Sequence, residues 1–349
     1  MNSSRLGLQR LAVALLSLAP LSTPLFAQTT ATTDPVGFIT LNIDGTQQAG
    51  STALSFKGLG LTRPVEYQGS AETVGTNTLI DNEAVWTDNQ FNGQNGSFYV
   101  ELTSGPGAGT TYDVASTSAA TKTITLAQNL ATGVTNGATF KIRKHWTVAS
   151  VFGTANEAGL AAGDLNTADQ ILLYNGTGYD IYYYQTSAIF GNGWRNANNP
   201  GQDASGAKIY PDDGVIIKRQ QASPVNVVLM GAVKTGQSSI PVLPGTNIVS
   251  NVYAAPMTLT SSLLFTNNPS TGVASGDSGT ADHVMLWNGT SYDIYYYQTS
   301  AILGNGWRNA SNPGQEAGST PIPVGASIII KRNGSQGFDW KAPQHPASL

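Results

Sequence analysis

Short runs of strand-favouring residues, separated by glycine and asparagine, occur along most of the chain. Val36–Ile43 and Val225–Met230 are two such runs, and β-branched and aromatic residues of this kind favour strands. Gln170–Tyr174 and Tyr179–Tyr184 flank an Asn-Gly dipeptide, which supplies the positive φ angles of a tight hairpin turn. The pattern predicts an all-β protein. The only helical hints are two short segments, Ala155–Ala162 and Ser261–Phe265.

The chain contains a long internal repeat. The segment that starts at Thr167 matches the segment that starts at Thr280, an offset of 113, and 30 of the 38 positions from Thr167 to Ala204 are identical. The same offset relates Ile216–Arg219 to the identical residues Ile329–Arg332. The sequence therefore predicts two homologous β-domains, each a sandwich or barrel-like structure, because such closed arrangements leave few exposed strand edges.

A weaker match pairs Pro35–Ile39 with Pro224–Val228 at an offset of 189, so the first copy would hold extra residues. Those residues contain strand-like runs divided by glycine turns, which predicts a small inserted β-module. The predicted organisation is a signal peptide at 1–27, a first β-domain at 34–69 plus 145–222, the module at 70–144, a second β-domain at 223–333 and a C-terminal tail at 334–349.

The first 27 residues have the pattern of a secretory signal. Arg5 and Arg10 precede or border an apolar run from Leu11 to Leu21, and Ala27 offers a small residue before Gln28. The run is shorter than the roughly 20 apolar residues of a spanning helix. We therefore expect an exported protein, extracellular, cell-surface or periplasmic, with no membrane span after signal cleavage.

Charge and cysteine content exclude several classes of function. The 349 residues include 17 Lys and Arg against 21 Asp and Glu, so there is no basic excess for binding phosphates of nucleic acid. Without any cysteine, disulfides, thiolate metal sites and cysteine nucleophiles are excluded. None of the three histidines recurs in the repeat, so the sequence supplies no multi-histidine metal site. We predict no metal, no cofactor and no nucleic-acid partner.

Repeated aromatic residues are the candidate binding feature. Alternate residues of a strand face opposite ways, so Tyr182 and Tyr184 would share a face with Asp180. Such a face could stack on the apolar face of a sugar, while the alternative is that the rings fill the core. Arg195 would anchor the following loop through carbonyls or carboxylates. The candidate ligand-binding residues are Tyr182, Tyr184, Trp194 and Arg195, with their repeats Tyr295, Tyr297, Trp307 and Arg308.

Support for catalysis is weaker. A glycosidase needs paired carboxylates, and three acidic positions recur in the repeat, although turn and strand-end hydrogen bonding is the alternative role. Neither Asp212-Asp213 nor Asp277-Ser278-Gly279 has the spacing of a known calcium loop. The basic pairs that end strands are interpreted as solvated. The acidic pairs are Asp169/Asp282, Asp180/Asp293 and Asp203/Glu316, and the basic pairs are Arg143-Lys144, Lys218-Arg219 and Lys331-Arg332.

Several motifs resemble an uncharacterised family of secreted proteins known mainly from Verrucomicrobia. They are DPVGFITLNI at Asp34–Ile43, KIRKHWTVASVFG at Lys141–Gly153 and the twin YDIYYYQTSAI and GNGWRN blocks. The resemblance covers essentially the whole mature chain and implies no activity. The inserted segment also resembles a small β-module of phage-tail and bacterial surface proteins, which implies a structural or spacer role there.

These observations lead to three functional hypotheses. The first is a non-enzymatic, secreted or cell-surface protein with a structural or adhesive role, because no convergent catalytic set is found. The second is a glycan-binding protein that uses the duplicated Tyr and Trp motifs. The third is a carbohydrate-active enzyme. The expected partners are glycans or cell-envelope components, and the sequence does not predict an oligomeric state.

Overall fold

The computed structural model describes residues 34–343 except 49, 94–95, 190 and 303. Strands make up 44% and helix 2% of the structure, which confirms the predicted all-β class. The predicted signal segment at 1–27 lies outside the described residues. Among the described residues, no helix has both the length and the apolar character needed to cross a membrane.

The first unit is formed by strands β1, β2 and β10–β16 and one short helix. Its main sheet has five strands in the order β13-β12-β11-β15-β2, and β1 and β16 form a separate two-stranded ribbon. The bounds are β1 Val36–Ile43, β2 Ala53–Lys57, β10 Trp146–Thr147, α1 Val148–Phe152, β11 Gln170–Tyr174, β12 Tyr179–Gln185, β13 Gly193–Asn196, β14 Lys208–Ile209, β15 Val215–Arg219 and β16 Val225–Ala232.

The second unit consists of the ten strands after β16. Its main sheet has six strands in the order β18-β25-β20-β21-β22-β23, and β17 and β26 form its ribbon. The bounds are β17 Ser238–Val242, β18 Gly245–Ser250, β19 Met257–Thr258, β20 His283–Trp287, β21 Tyr292–Gln298, β22 Gly306–Asn309, β23 Asn312–Glu316, β24 Pro321–Ile322, β25 Ser327–Arg332 and β26 Phe338–Ala342.

Seven strands between β2 and β10 form the inserted module. They make one sheet in the order β3-β9-β6-β7-β8-β5-β4. Its interior is filled by alternate apolar residues, including the fully buried Val100, Leu102 and Ile142. The bounds are β3 Val65–Ala71, β4 Thr73–Val74, β5 Thr78–Ile80, β6 Phe98–Leu102, β7 Thr111–Ser118, β8 Thr123–Leu126 and β9 Ala138–Lys144.

In each unit, the ribbon packs over one face of the main sheet. In the first unit, Leu41 and Val227 of the ribbon are 3% and 4% exposed and belong to the same core as Ile171 and Ile217 of the sheet. This arrangement follows from the alternation of a strand, because every second residue faces the core. The opposite faces of the two main sheets meet in a further apolar cluster that contains Phe56, Ile216, Ile248 and Ile329.

Strand pairing recurs at the offset of the sequence repeat. Ile171 is the partner of Tyr182 as Val284 is the partner of Tyr295, an offset of 113 at both positions. The ribbons also correspond, because β16 pairs with β1 as β26 pairs with β17. The strand at Phe338–Ala342 lies in the segment predicted as a tail, yet its Trp340 is only 1% exposed.

The two segments of the weak sequence match, near the starts of β1 and β16, belong to strands that lie side by side in the structure. Val36–Ile43 and Val225–Ala232, expected to open two separate copies, pair with each other along eight residues. This pairing favours a boundary between the units after Ala232 rather than at residue 222. The division into two homologous domains stays a prediction.

The one helix among the described elements is not at either predicted segment. Val148–Phe152 forms it because Thr147 and Ser150 make a reciprocal capping box and Gly153, with φ of 91°, ends it. Ala155–Ala162 and Ser261–Phe265 instead form turns and irregular backbone, so both helical hints are wrong.

Candidate functional site

The predicted aromatic residues of the first unit pack in its core. Trp194 is 1% exposed, and its indole Nε1 donates a hydrogen bond to the Gly153 carbonyl at 2.7 Å. The Tyr184 ring meets the Trp194 ring edge-on at a centroid distance of 5.3 Å. Tyr182 is half-buried against the same core. The arrangement favours the packing role of these rings, because Trp194 offers no open face for a sugar.

The repeated residues are also packed against the core of the second unit. Trp307 and Tyr295 are 2% and 7% exposed. The Tyr297 ring stacks on Phe265 at a centroid distance of 3.4 Å and meets Trp307 at 5.7 Å. These six aromatic candidates therefore do not form one exposed platform in either unit.

Arg195 and Arg308 also lie inside the fold, 9% and 7% exposed. Their Nη1 atoms donate to the carbonyls of Trp194 and Trp307 at 3.3 and 3.2 Å. A Cβ added to Gly193, whose φ is 156°, would lie 3.3 Å from the Arg195 guanidinium. Each arginine thus packs over the backbone that opens its strand, where a larger residue than glycine would crowd it.

Three of the basic residues expected at solvated strand ends are buried. Arg219 and Arg332 are 2% and 6% exposed and bind the carboxylates of Asp169 and Asp282 at 2.8 and 2.5 Å. Arg143 of the inserted module is 2% exposed. The prediction is wrong for these arginines because they occupy the inward-facing position of their strands. The two aspartates, candidates for a catalytic pair, are engaged in these ion pairs instead.

A buried ionic cluster joins the inserted module to the two units. Arg143 binds the carboxylates of Asp34 and Glu101, and Lys234 binds Glu101 from the other side. Burial alone would raise the pKa of Glu101, but the Lys234 and Arg143 cations hold it below its usual value. Because each of these charges has a partner of opposite sign, the cluster acts as a structural joint.

A second polar cluster lies beside this joint, around Asp113. Its carboxylate accepts hydrogen bonds from His145 at 2.8 Å, Lys208 at 2.7 Å and Tyr210 at 3.1 Å. Burial alone would raise the pKa of Asp113, but His145 and Lys208 hold it well below its usual range. Burial and the adjacent Asp212 shift the pKa of Asp213 upward. Among the described residues, no group of three or more His, Cys, Asp or Glu side chains could hold a metal ion.

A cleft of about 1220 Å³ lies where the two units meet. One wall is the loop after β1 together with β2, and the other is the β20–β21 hairpin together with the loop between β24 and β25. We call it the inter-unit cleft. Its lining includes the acidic Asp44 and Asp293, the basic Lys57, the amides Gln47, Gln48 and Asn288, the hydroxyls Ser51, Thr52 and Thr290, and the aromatic Phe56, Trp287 and Tyr295.

Phe56 and Trp287 line the inter-unit cleft from opposite units, and both rings pack against Tyr292. The Phe56 ring lies 5.1 Å from Trp287 and 5.3 Å from Tyr292, measured between centroids. Trp287 and Tyr292 are 5.0 Å apart. Burial lowers the pKa of Lys57, while the Asp44 carboxylate acts in the opposite direction. The cleft thus combines apolar ring surface with acidic, amide and hydroxyl groups.

A smaller open groove of about 550 Å³ lies on the first unit. It is lined by Asp180 and Tyr182, whose repeats Asp293 and Tyr295 line the inter-unit cleft. The repeated Asp-Ile-Tyr triplet was the sequence signal for both places. Most of the cleft was not predictable from sequence, because its two walls come from segments more than 200 residues apart. The other polar residues of the groove are Asn196, Asn198, Asn199, Gln202 and Asp203.

Comparison with known proteins adds no functional assignment. No family model, no curated protein and no solved structure matches this chain. The resemblance to a secreted verrucomicrobial family therefore stays a prediction from the motifs. The inter-unit cleft and the groove that Asp180 and Tyr182 line, called the Tyr182 groove below, are the two open polar surfaces described above.

Proposed function

We propose that this is a secreted or cell-surface protein without catalytic activity, which has an adhesive role and binds a neutral glycan in the inter-unit cleft. The observation that carries the proposal is the composition of that cleft. The half-buried Trp287 presents part of its ring, and Asp44 and Asp293 stand among amides and hydroxyls. Ligand sites commonly combine an apolar lining with a few well-placed polar groups.

The chemistry of a sugar fits these groups. A pyranose has an apolar face of C–H bonds, which packs on an aromatic ring, and a rim of hydroxyls, which donate to carboxylates and accept from amides. Two carboxylates face a single lysine in the cleft, and the whole chain carries a formal charge of −4. An anionic polysaccharide would meet repulsion there, so a neutral glycan is favoured.

The size of the cleft favours a chain of sugars over a single sugar. A volume of about 1220 Å³ exceeds the roughly 300–1,000 Å³ of typical small-molecule pockets. The Tyr182 groove provides a second polar site on the same molecule, and two sites on one chain raise avidity for a repetitive polymer. Both features suit attachment to a polysaccharide surface.

Binding can be tested by affinity electrophoresis of the exported protein through gels that contain a neutral β-glucan, a galactomannan or a xylan. We expect retardation by at least one of the three polymers. Trp287→Ala and Asp293→Asn should each lower the affinity for that polymer at least tenfold, because they remove a ring and a charged acceptor from the cleft.

The chain supplies a matched control. Tyr174 is the residue that corresponds to Trp287 at the 113 offset, and it does not line the inter-unit cleft. Tyr174→Ala should therefore retain the retardation of the unchanged protein. The glycan proposal would be contradicted if no polymer retarded the protein. It would also be contradicted if Tyr174→Ala lost as much retardation as Trp287→Ala and Asp293→Asn. Release of reducing sugar from a bound polymer would contradict the absence of catalysis.

A further inference from the structure

An exposed apolar face covers one side of the β1–β16 ribbon. Phe38 and Met230 are 72% and 71% exposed, and Val36 and Val228 are 70% and 63% exposed. The register places Phe38 directly opposite Met230, so these side chains are neighbours on one surface. We call it the ribbon face. Contiguous apolar surface of this kind commonly marks an interaction site.

The fold does not require an apolar surface at these positions. The second unit has the same ribbon, in which Lys341 takes the place of Val228 at the 113 offset and Asp339 takes the place of Asn226. Asp339 is exposed and Lys341 is half-buried. Inward-facing apolar residues of both ribbons, such as Leu41 and Val227 in the first and Ile240 and Trp340 in the second, fill the cores. The outward apolar residues of the first ribbon therefore need another explanation.

We infer that the ribbon face is the interface of a homodimer, formed with the same face of a second copy of this chain. The outward positions that continue the face are Thr40, Asn42 and Asn226, which carry no charge. Two copies of an acidic chain can approach through such a face without placing like charges opposite each other. A twofold dimer uses one patch on both subunits, so the patch must be self-complementary.

The size of the ribbon face sets the expected strength of the dimer. The four apolar side chains expose roughly 500 Å² together, as large apolar patches on monomers do. Two copies would bury about 1,000 Å², which is the lower limit for a specific interface. We therefore expect a reversible dimer with a dissociation constant in the micromolar range. Met230 suits such a contact because its flexible thioether adapts to a neighbouring ring.

The terminal segments beside the described chain are poor alternatives as occupants of this face. Residues 28–33, which precede Asp34 after the predicted cleavage, are Gln, Ala and Thr only. Residues 344–349 include a single large apolar residue, Leu349. Neither segment offers apolar side chains that match the four on the ribbon face.

Sedimentation velocity over a concentration series from about 1 to about 500 μM tests the inference. The weight-average mass of the signal-cleaved protein should rise toward that of two chains. Val228→Lys combined with Met230→Lys should raise the dissociation constant at least tenfold. Ile302→Lys is the control, because Ile302 is 93% exposed elsewhere on the surface. The thermal midpoint should be unchanged in all variants, since these side chains point away from the cores.

A second measurement uses the absence of cysteine from the chain. Val228→Cys labelled with pyrene should give concentration-dependent excimer emission, and Ile302→Cys should not. A mass that stays at one chain at every concentration overturns the inference, and so does a dimer unchanged by the two lysines. Binding to phosphatidylcholine vesicles without self-association would also overturn it, because the occupant would then be a lipid surface.

Discussion

Replacing Arg332 with methionine should destabilise the second unit strongly, although the sequence pattern predicts that this Lys-Arg pair at a strand end is solvated. The Arg332 guanidinium donates to Asp282, to the Gln336 carbonyl at 2.9 Å and to the Pro269 carbonyl at 2.6 Å. Methionine keeps much of the apolar stem but none of these donors. Asp282 would remain buried as a carboxylate with only two backbone N–H donors, from Ala274 and Asn333.

The size of the effect follows from the burial of both partners. Their side chains are 4% and 0% exposed. Removing one partner of a buried ion pair costs about 3–5 kcal/mol, and the two remaining N–H donors place the expected cost at the lower end. With a urea m-value of about 2 kcal/mol per molar, a loss of about 3 kcal/mol lowers the unfolding midpoint by about 1.5 M.

Urea unfolding followed by tryptophan fluorescence measures this change, because Trp307 and Trp340 are buried in the same unit. Lys331→Met is the matched control. Lys331 lies beside Arg332 on β25 but is exposed, so its replacement should change stability by less than about 0.5 kcal/mol. Adding Asp282→Asn to Arg332→Met should recover part of the loss. Equal midpoints for the Lys331 and Arg332 variants would refute the reasoning and restore the solvated interpretation of both residues.

Three further predictions concern pH, backbone packing and the repeated arginine. Burial and Asp212 raise the pKa of Asp213 to about 8, whereas an aspartate in the unfolded chain titrates near 4. Between these pH values the folded protein binds more protons than the unfolded chain, so its stability falls as the pH rises through this window. Asp213→Asn should therefore raise the thermal midpoint at pH 9 but not at pH 4, and an equal change at both pH values would contradict this. Gly214→Ala would place a Cβ 2.2 Å from the Ser327 Oγ, and we expect a loss of about 1–3 kcal/mol in urea unfolding that Gly201→Ala, with open space around it, does not show. Arg195→Ala should lower the stability by about 1–3 kcal/mol and leave glycan retardation unchanged, while weakened retardation at an unchanged midpoint would assign the arginine to a ligand.

Local patterns in the sequence were sufficient for the strands themselves. Val36–Ile43 has the bounds that its apolar run predicts, and the hairpin from Gln170 to Tyr184 turns at its Asn-Gly dipeptide. These features depend on side-chain alternation and turn conformation within a few residues, so they can be derived without tertiary contacts.

Strand partners were decided only by the tertiary structure. Val36–Ile43 and Val225–Ala232 look alike in sequence, and their likeness suggested equivalent positions in two copies. They pair with each other instead, because both present apolar residues to one core. A strand pattern records which face is buried but not which strand lies beside it.

The burial of the strand-end arginines and the position of the inter-unit cleft could be established only from the complete fold. The sequence places Lys331 and Arg332 on opposite faces of β25. It does not show that Arg332 binds the carboxylate of Asp282, which lies 50 residues away in the chain. The inter-unit cleft has the same origin, since its two walls meet only when the sheets pack against each other. Alternation, turns and the repeat are encoded locally, whereas charge pairing and cavities depend on contacts between residues that are distant in the chain.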